Sequence, residues 1–178
     1  MRRVRVIKFC PTGNSLYLIA ESIYYEMMTP VAVPDTSPPE PSHSDLAEMY
    51  LATDYVVDDL PASFTIKLGE ANDQLNDFLD RGVISSWAFL TAWNPRSTPL
   101  NADENYARQH ELLKFLRSNS YHFLHGRGVG TDPAWEPEES LFIIDIERSA
   151  AIEIGRQFDQ NAILWGVNGR EPELIWCF

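Results

Sequence analysis

The chain has almost no cysteine: Cys10 and Cys177 are the only two in 178 residues and stand near its opposite ends. Two such residues cannot build a disulfide framework, and neither has the companion Cys or His spacing of a zinc site. Basic residues are scarce as well, 14 Lys and Arg against 26 Asp and Glu, for a formal net charge of -12. Four of those basic residues, Arg2, Arg3, Arg5 and Lys8, crowd into the first eight positions. No cluster of Lys or Arg follows them, so the counterion release that drives nucleic-acid binding has no source, and an anionic membrane surface would repel the chain. Long apolar runs are missing too. The basic opening MRRVRVIK leads into FCPTGNSLYLIAES, where Pro11, Thr12, Gly13, Asn14 and Ser15 interrupt any signal-peptide core. No membrane span is expected, and a cytoplasmic location follows by default.

What is present is material for one core: 44% hydrophobic and 12% aromatic residues. The clearest boundary is the stretch 30–44, where Pro30, Pro34, Pro38, Pro39 and Pro41 mix with Ser, Thr and Asp. Such a composition reads as an extended linker. Three parts result: residues 1–29 as a strand (Val4–Phe9) and helix (Leu16–Met28) extension, 30–44 as the linker, and 45–178 as the main domain.

Within the main domain, Tyr50–Val57 and Phe64–Leu68 read as a β-hairpin, rich in β-branched and aromatic residues. Ala71–Arg81 carries Leu75, Phe78 and Leu79 on one helical face and stops at Gly82. Trp87–Trp93 (WAFLTAW) is apolar enough for a central strand covered on both faces. Asn101 with Glu104 forms a capping pattern for a helix to about Ser118, with Leu112, Leu113 and Leu116 as its buried stripe. A short strand at Tyr121–Leu124, a loop over Gly126–Pro137 and a buried strand at Leu141–Ile146 follow. Ala151, Ile154, Gly155 and Phe158 fall at i, i+3, i+4 and i+7, so Glu147–Gln160 is a helix, and Gly155 is expected to permit close approach to the sheet. Ala162–Val167 and Glu173–Phe178 flank Asn168-Gly169 as a closing hairpin. The expected class is α+β: a mixed β-sheet with three main helices, in the order ββαβαββαββ, behind the N-terminal extension.

The motifs YLATDYVV, SWAFLTAWNPRS, NADENYARQHELL, the Gly-rich run into AWEPEESLFIIDI, and IGRQFDQNAILWG together resemble the domain of unknown function 3293 family, over about Tyr50 to Phe178. That resemblance implies a compact bacterial-type domain and no particular activity. A second likeness lies at residues 9–15: FCPTGNS is similar to the phosphate loop of flavodoxin-like proteins, where small and hydroxylated residues precede a helix. The strands and flavin-ring loops of a flavodoxin do not follow, so no cofactor is expected.

Candidate site residues gather at expected strand ends. Asn94 and Arg96 follow the central strand, where open sheets leave backbone groups unpaired; the plain alternative is an Asn-Pro turn with a surface Arg. Asn105 lies one helical turn after Asn101 and can face the same pocket, or solvent. Arg127 sits in GRGVG, which lacks the Lys-Ser/Thr ending of a phosphate loop. Trp135, Glu136, Glu139 and Ser140 come just before a buried strand, where a carboxylate held against an indole would have a raised pKa suited to acid–base work; the plain alternative is a Trp packed over the sheet edge with solvated glutamates. Gln160 brackets the last helix-to-strand turn. His122 and His125 are three apart, which on a strand places them on opposite faces, so no metal site is expected. Two readings remain. The first is a domain that binds or acts on a small polar or anionic ligand through Asn94, Arg96, Asn105, Arg127, Glu136 and Gln160. The second is a protein-interaction module. Convergence of these side chains on a cavity separates the two.

Overall fold

The computed structural model describes residues 42–60 and 62–178; the strand and helix expected at 4–9 and 16–28, and the loop at 9–15, lie outside the described residues. Pro41–Phe178 forms one compact unit. Its elements are α1 (His43–Leu51), β1 (Asp54–Val57), β2 (Phe64–Ile66), α2 (Asp73–Gly82), β3 (Ser86–Leu90), a 3-10 turn (Pro95–Ser97), α3 (Ala102–Ser118), β4 (His122–Val129), β5 (Glu138–Ile144), α4 (Arg148–Gln157), β6 (Ala162–Val167) and β7 (Glu173–Trp176).

The class is α+β, with one helix more than expected. Helix α1 begins inside the stretch assigned to the linker and ends inside the stretch assigned to the first strand. Its cause is local: Ser42 Oγ accepts from the Asp45 N–H while the Asp45 carboxylate accepts from the Ser42 N–H. This capping box satisfies two orphan donors at once and starts a helix where the proline count argued for an extended chain. Strand β1 then begins only at Asp54.

The seven strands form one sheet in the order β2-β1-β4-β5-β3-β6-β7, and every neighbouring pair is antiparallel. The expected mixed sheet is therefore corrected. Helices α3 and α4 do connect strands that point the same way, as crossover helices do. In each case another strand is inserted between them, β5 between β3 and β4, and β3 between β5 and β6. No parallel pair forms.

Strand β3 is central, and Trp87, Ala88, Phe89 and Leu90 are all buried. Because alternate residues face opposite ways, they feed two cores. On one face Trp87 and Phe89 join Tyr55, Ile66, Phe142 and Leu164 beneath Leu75 and Leu79 of α2. On the other, Ala88 and Leu90 join Leu141, Ile143 and Ile163 beneath Leu112 and Leu116 of α3 and Ala151 and Ile154 of α4. Gly155 lets α4 close on the sheet, since a Cβ there would lie 2.5 Å from Cys177 Sγ and 3.0 Å from Ile163 Cγ2.

Two further expectations are corrected. Helix α2 includes Gly82, and the left-handed residue that ends it is Val83 (φ 55°, ψ 38°); Ile84 N–H then donates to Leu79 O, which anchors the turn without glycine. The Gly-rich segment from Gly126 is strand as far as Val129, paired with β1 and β5. Gly126 lies against the Phe89 ring, 3.0 Å from where its Cβ would stand, so this glycine serves close packing inside a sheet. The hairpin of β6 and β7 forms with its one positive-φ residue at Gly169.

Candidate functional site

Beyond β3 the chain turns sharply, and Asn94 (φ 44°), Arg96 (φ 53°) and Ser97 (φ 56°) all take left-handed backbone. A Cβ crowds the backbone carbonyl in that region and makes it costly for residues other than glycine, so something must hold the turn. Helix α3 does. Asn105, only 2% exposed, accepts from the Asn94 N–H at 2.9 Å and donates through Nδ2 to Asn94 Oδ1 at 2.9 Å and Leu100 O at 3.3 Å. One turn along, Gln109 Oε1 accepts from the Ala92 N–H at 3.0 Å. Arg108 adds donations from Nε to Ala92 O at 2.8 Å and from Nη2 to Phe158 O at 2.7 Å. Sequence reasoning singled out neither Gln109 nor Arg108. The signal for Gln109 was there: Asn105, Gln109, Leu112 and Leu116 share one stripe at i, i+4, i+7 and i+11.

Thus fixed, Asn94 turns its Nδ2 to Glu138 Oε1 at 2.7 Å, and the Trp135 indole Nε1 donates to the same oxygen at 3.1 Å. Glu138 opens β5 and is in phase with Ser140 and Phe142, the side of that strand that faces the core beneath α2. Burial pushes its carboxyl above the usual carboxylate range, against the opposing pull of the Asn94 and Trp135 hydrogen bonds. Raising the folded-state pKa means that the folded protein holds this proton more tightly than the unfolded chain does. The resulting stability is complete below the unfolded value and is lost as pH rises through the folded one. Glu138→Gln is therefore expected to flatten that fall and to match or exceed the native protein in Tm at neutral pH. Thermal unfolding followed from about pH 4 to pH 8 checks it; an equally steep fall in the variant would contradict it.

These groups form the polar end of a cavity of about 210 Å³. Its apolar wall is made by Leu46, Met49 and Tyr50 of α1 with Tyr55, Phe89 and Leu164 of the sheet. Tyr55 donates its hydroxyl to Tyr50 O at 2.9 Å. The Tyr50 pKa is pushed up to about 12, first by burial and then by the nearby Glu138 charge. Burial also raises the Tyr55 phenol, so both hydroxyls stay protonated at neutral pH. Gln160 Nε2 donates to Trp93 O at 3.0 Å and Phe158 O at 3.4 Å, and Asn161 Nδ2 donates to Ser97 Oγ at 2.9 Å; Gln160 and Asn161 line the same cavity.

Of the residues singled out from sequence, Asn94 and Gln160 line the cavity, and Asn105 stands behind Asn94 as its partner. Arg96 borders it from outside, exposed, with Nη1 donating to Gln160 O at 3.3 Å. Arg127 is elsewhere. Its neighbour Gly128 lines the cavity, so Arg127 points to the opposite face, where it pairs with Asp58 at 2.7 Å. Glu136 is exposed in the loop before β5, and Glu139 points out from the strand. The carboxylate beside the indole is Glu138, which sequence reasoning passed over between them; counting back in steps of two from the buried Phe142 would have found it. Among the described residues no three His, Cys, Asp or Glu side chains gather as a metal site, and no helix is long and apolar enough to cross a membrane.

Residues 90–163 match the model of one family, described as a protein of unknown function (DUF3293). The matched stretch runs from the end of β3 to β6 and takes in Asn94, Asn105, Glu138 and Gln160, though it is shorter than the Tyr50 to Phe178 span suggested by the motifs. No curated protein and no solved structure matches the chain.

Proposed function

We propose that the protein binds one small, largely apolar molecule with a hydrogen-bonding head, a reading argued from the cavity because the description of the family whose model matches residues 90–163 names no activity. The observation that carries this reading is a half-buried carboxylate held in place by two donors in a hollow with an apolar wall. A purely structural glutamate would be cheaper to replace by an apolar residue. At about 210 Å³ the hollow falls below the roughly 300–1,000 Å³ of drug-sized pockets, which restricts the ligand to a small one. The charged residues along its wall are Asp132 and Glu138, both acidic, so we drop the anionic variant of the ligand and keep the polar one.

The interaction-module reading needs a contiguous exposed apolar patch. Among the described residues Met49 and Leu51 are exposed together on α1, while Leu60, Val83, Tyr106 and Phe178 are exposed on four separate segments, too scattered to make one patch.

Gly128 supplies the test. It lies in β4 on the cavity wall, and a Cβ there would meet only Thr53 Cγ2 at 3.8 Å, an ordinary contact. Gly128→Phe is therefore expected to fold with stability within about 1 kcal/mol of the native protein, since aromatic residues suit strands, while its ring fills the hollow. In a thermal-shift screen of small amines, alcohols, amides and sugars, a ligand at about a hundred times its Kd stabilises by roughly 2.7 kcal/mol. Hits that stabilise the native protein and leave Gly128→Phe unmoved support the cavity; hits that shift both equally contradict it.

A further inference from the structure

The hydrogen-bond inventory at the polar end says which kind of head the cavity takes. Asn94 Nδ2 and Trp135 Nε1 both donate to Oε1 of Glu138, which leaves Oε2 without a partner among the described residues. Gln160 Nε2 has given both its hydrogens to backbone carbonyls, so its Oε1 is likewise unpartnered among the described residues. Asn161 donates through Nδ2 to Ser97 Oγ, and the same holds for its Oδ1. Three acceptors remain, one of them on a carboxylate, against one further N–H each on Asn94 and Asn161, and among the described residues neither Lys nor Arg lines the cavity. An ammonium group carries three donors, no acceptor and a positive charge, and it matches this set. A carboxylate or phosphate head would meet lone pairs and like charge. The wall next to it includes the rings of Tyr50, Tyr55 and Phe89, whose faces also attract a cation.

We propose that the ligand is a small organic amine bound as its ammonium ion, its head hydrogen-bonded to Glu138, Gln160 and Asn161 and its apolar body against the α1 side of the cavity. This rests on the small-molecule reading above and narrows it. An engineered cavity of about 150 Å³ holds benzene, so a hollow of about 210 Å³ has room for a ring with a two-carbon arm.

The experiment is calorimetric titration of the full chain with three probes of similar shape: 2-phenylethylamine, 2-phenylethanol and 3-phenylpropanoate. The amine is expected to bind at least tenfold tighter than the alcohol, and the carboxylate not to bind. Glu138→Gln keeps an acceptor for Asn94 and Trp135 but turns an N–H toward the cavity in place of Oε2, so it is expected to lower the amine's affinity at least tenfold. Equal binding of amine and alcohol, or an amine affinity that survives Glu138→Gln, overturns the amine assignment while the cavity reading stands. Binding of none of the three also overturns it, and a screen without any Gly128-sensitive hit overturns the cavity reading beneath it.

Discussion

Asn105→Ala is expected to destabilise the protein by about 3 kcal/mol and to weaken ligand binding at least tenfold. The side chain is 2% exposed and makes three hydrogen bonds. Its removal leaves the Asn94 N–H and Leu100 O unpaired in a partly buried corner, at about 1–3 kcal/mol for each such group. The second effect follows from the first: without Asn105, Asn94 keeps only the Leu100 N–H at 3.0 Å on its Oδ1, its left-handed backbone is held less firmly, and the 2.7 Å bond to Glu138 weakens. Denaturant unfolding gives the stability change, and titration of a screen hit gives the affinity change. An affinity that stays put in a folded Asn105→Ala protein would show that the Asn94 turn does not organise the site.

Phe142→Ala should cost about 3–5 kcal/mol, in the range for a buried aromatic ring. Phe142 is fully buried, stacked on Trp87 with centroids 5.2 Å apart, and met edge-on by Phe64 at 5.5 Å. The prediction also probes register. A slip of one residue in β5 would turn Phe142 to the α3 side and carry Glu138 out of the cavity with it. A loss below about 1 kcal/mol in denaturant unfolding would contradict the alternation on which the placement of Glu138 rests.

Much of the fold was legible because its signals are local. The Asn101 and Glu104 capping pair starts α3 where expected, and the two-sided burial of β3 follows from its unbroken apolar run. Sheet direction was not legible, since whether a crossover lands beside its parent strand or one strand away depends on partners remote in sequence. The Ser42 and Asp45 capping pair was legible in principle but was masked by the prolines just before it. Of the candidate residues, Asn94 and Gln160 line the cavity because strand ends collect polar groups. Glu138 was missed because it lies among Glu136 and Glu139, and only the strand's phase, fixed by Phe142 four residues on, shows which carboxylate turns inward. Arg127 lies away from the cavity for the same reason, its side chain being one step out of phase with Gly128.

The most direct measurement follows the Trp135 indole N–H, which touches Glu138 and lines the cavity, by 1H–15N NMR, assigned with Trp135→Phe, as 2-phenylethylamine or any screen hit is added. The cavity reading predicts a saturable shift of that resonance in the native protein and none in Gly128→Phe. A ligand that binds without moving Trp135, or that moves it equally in both proteins, would contradict it.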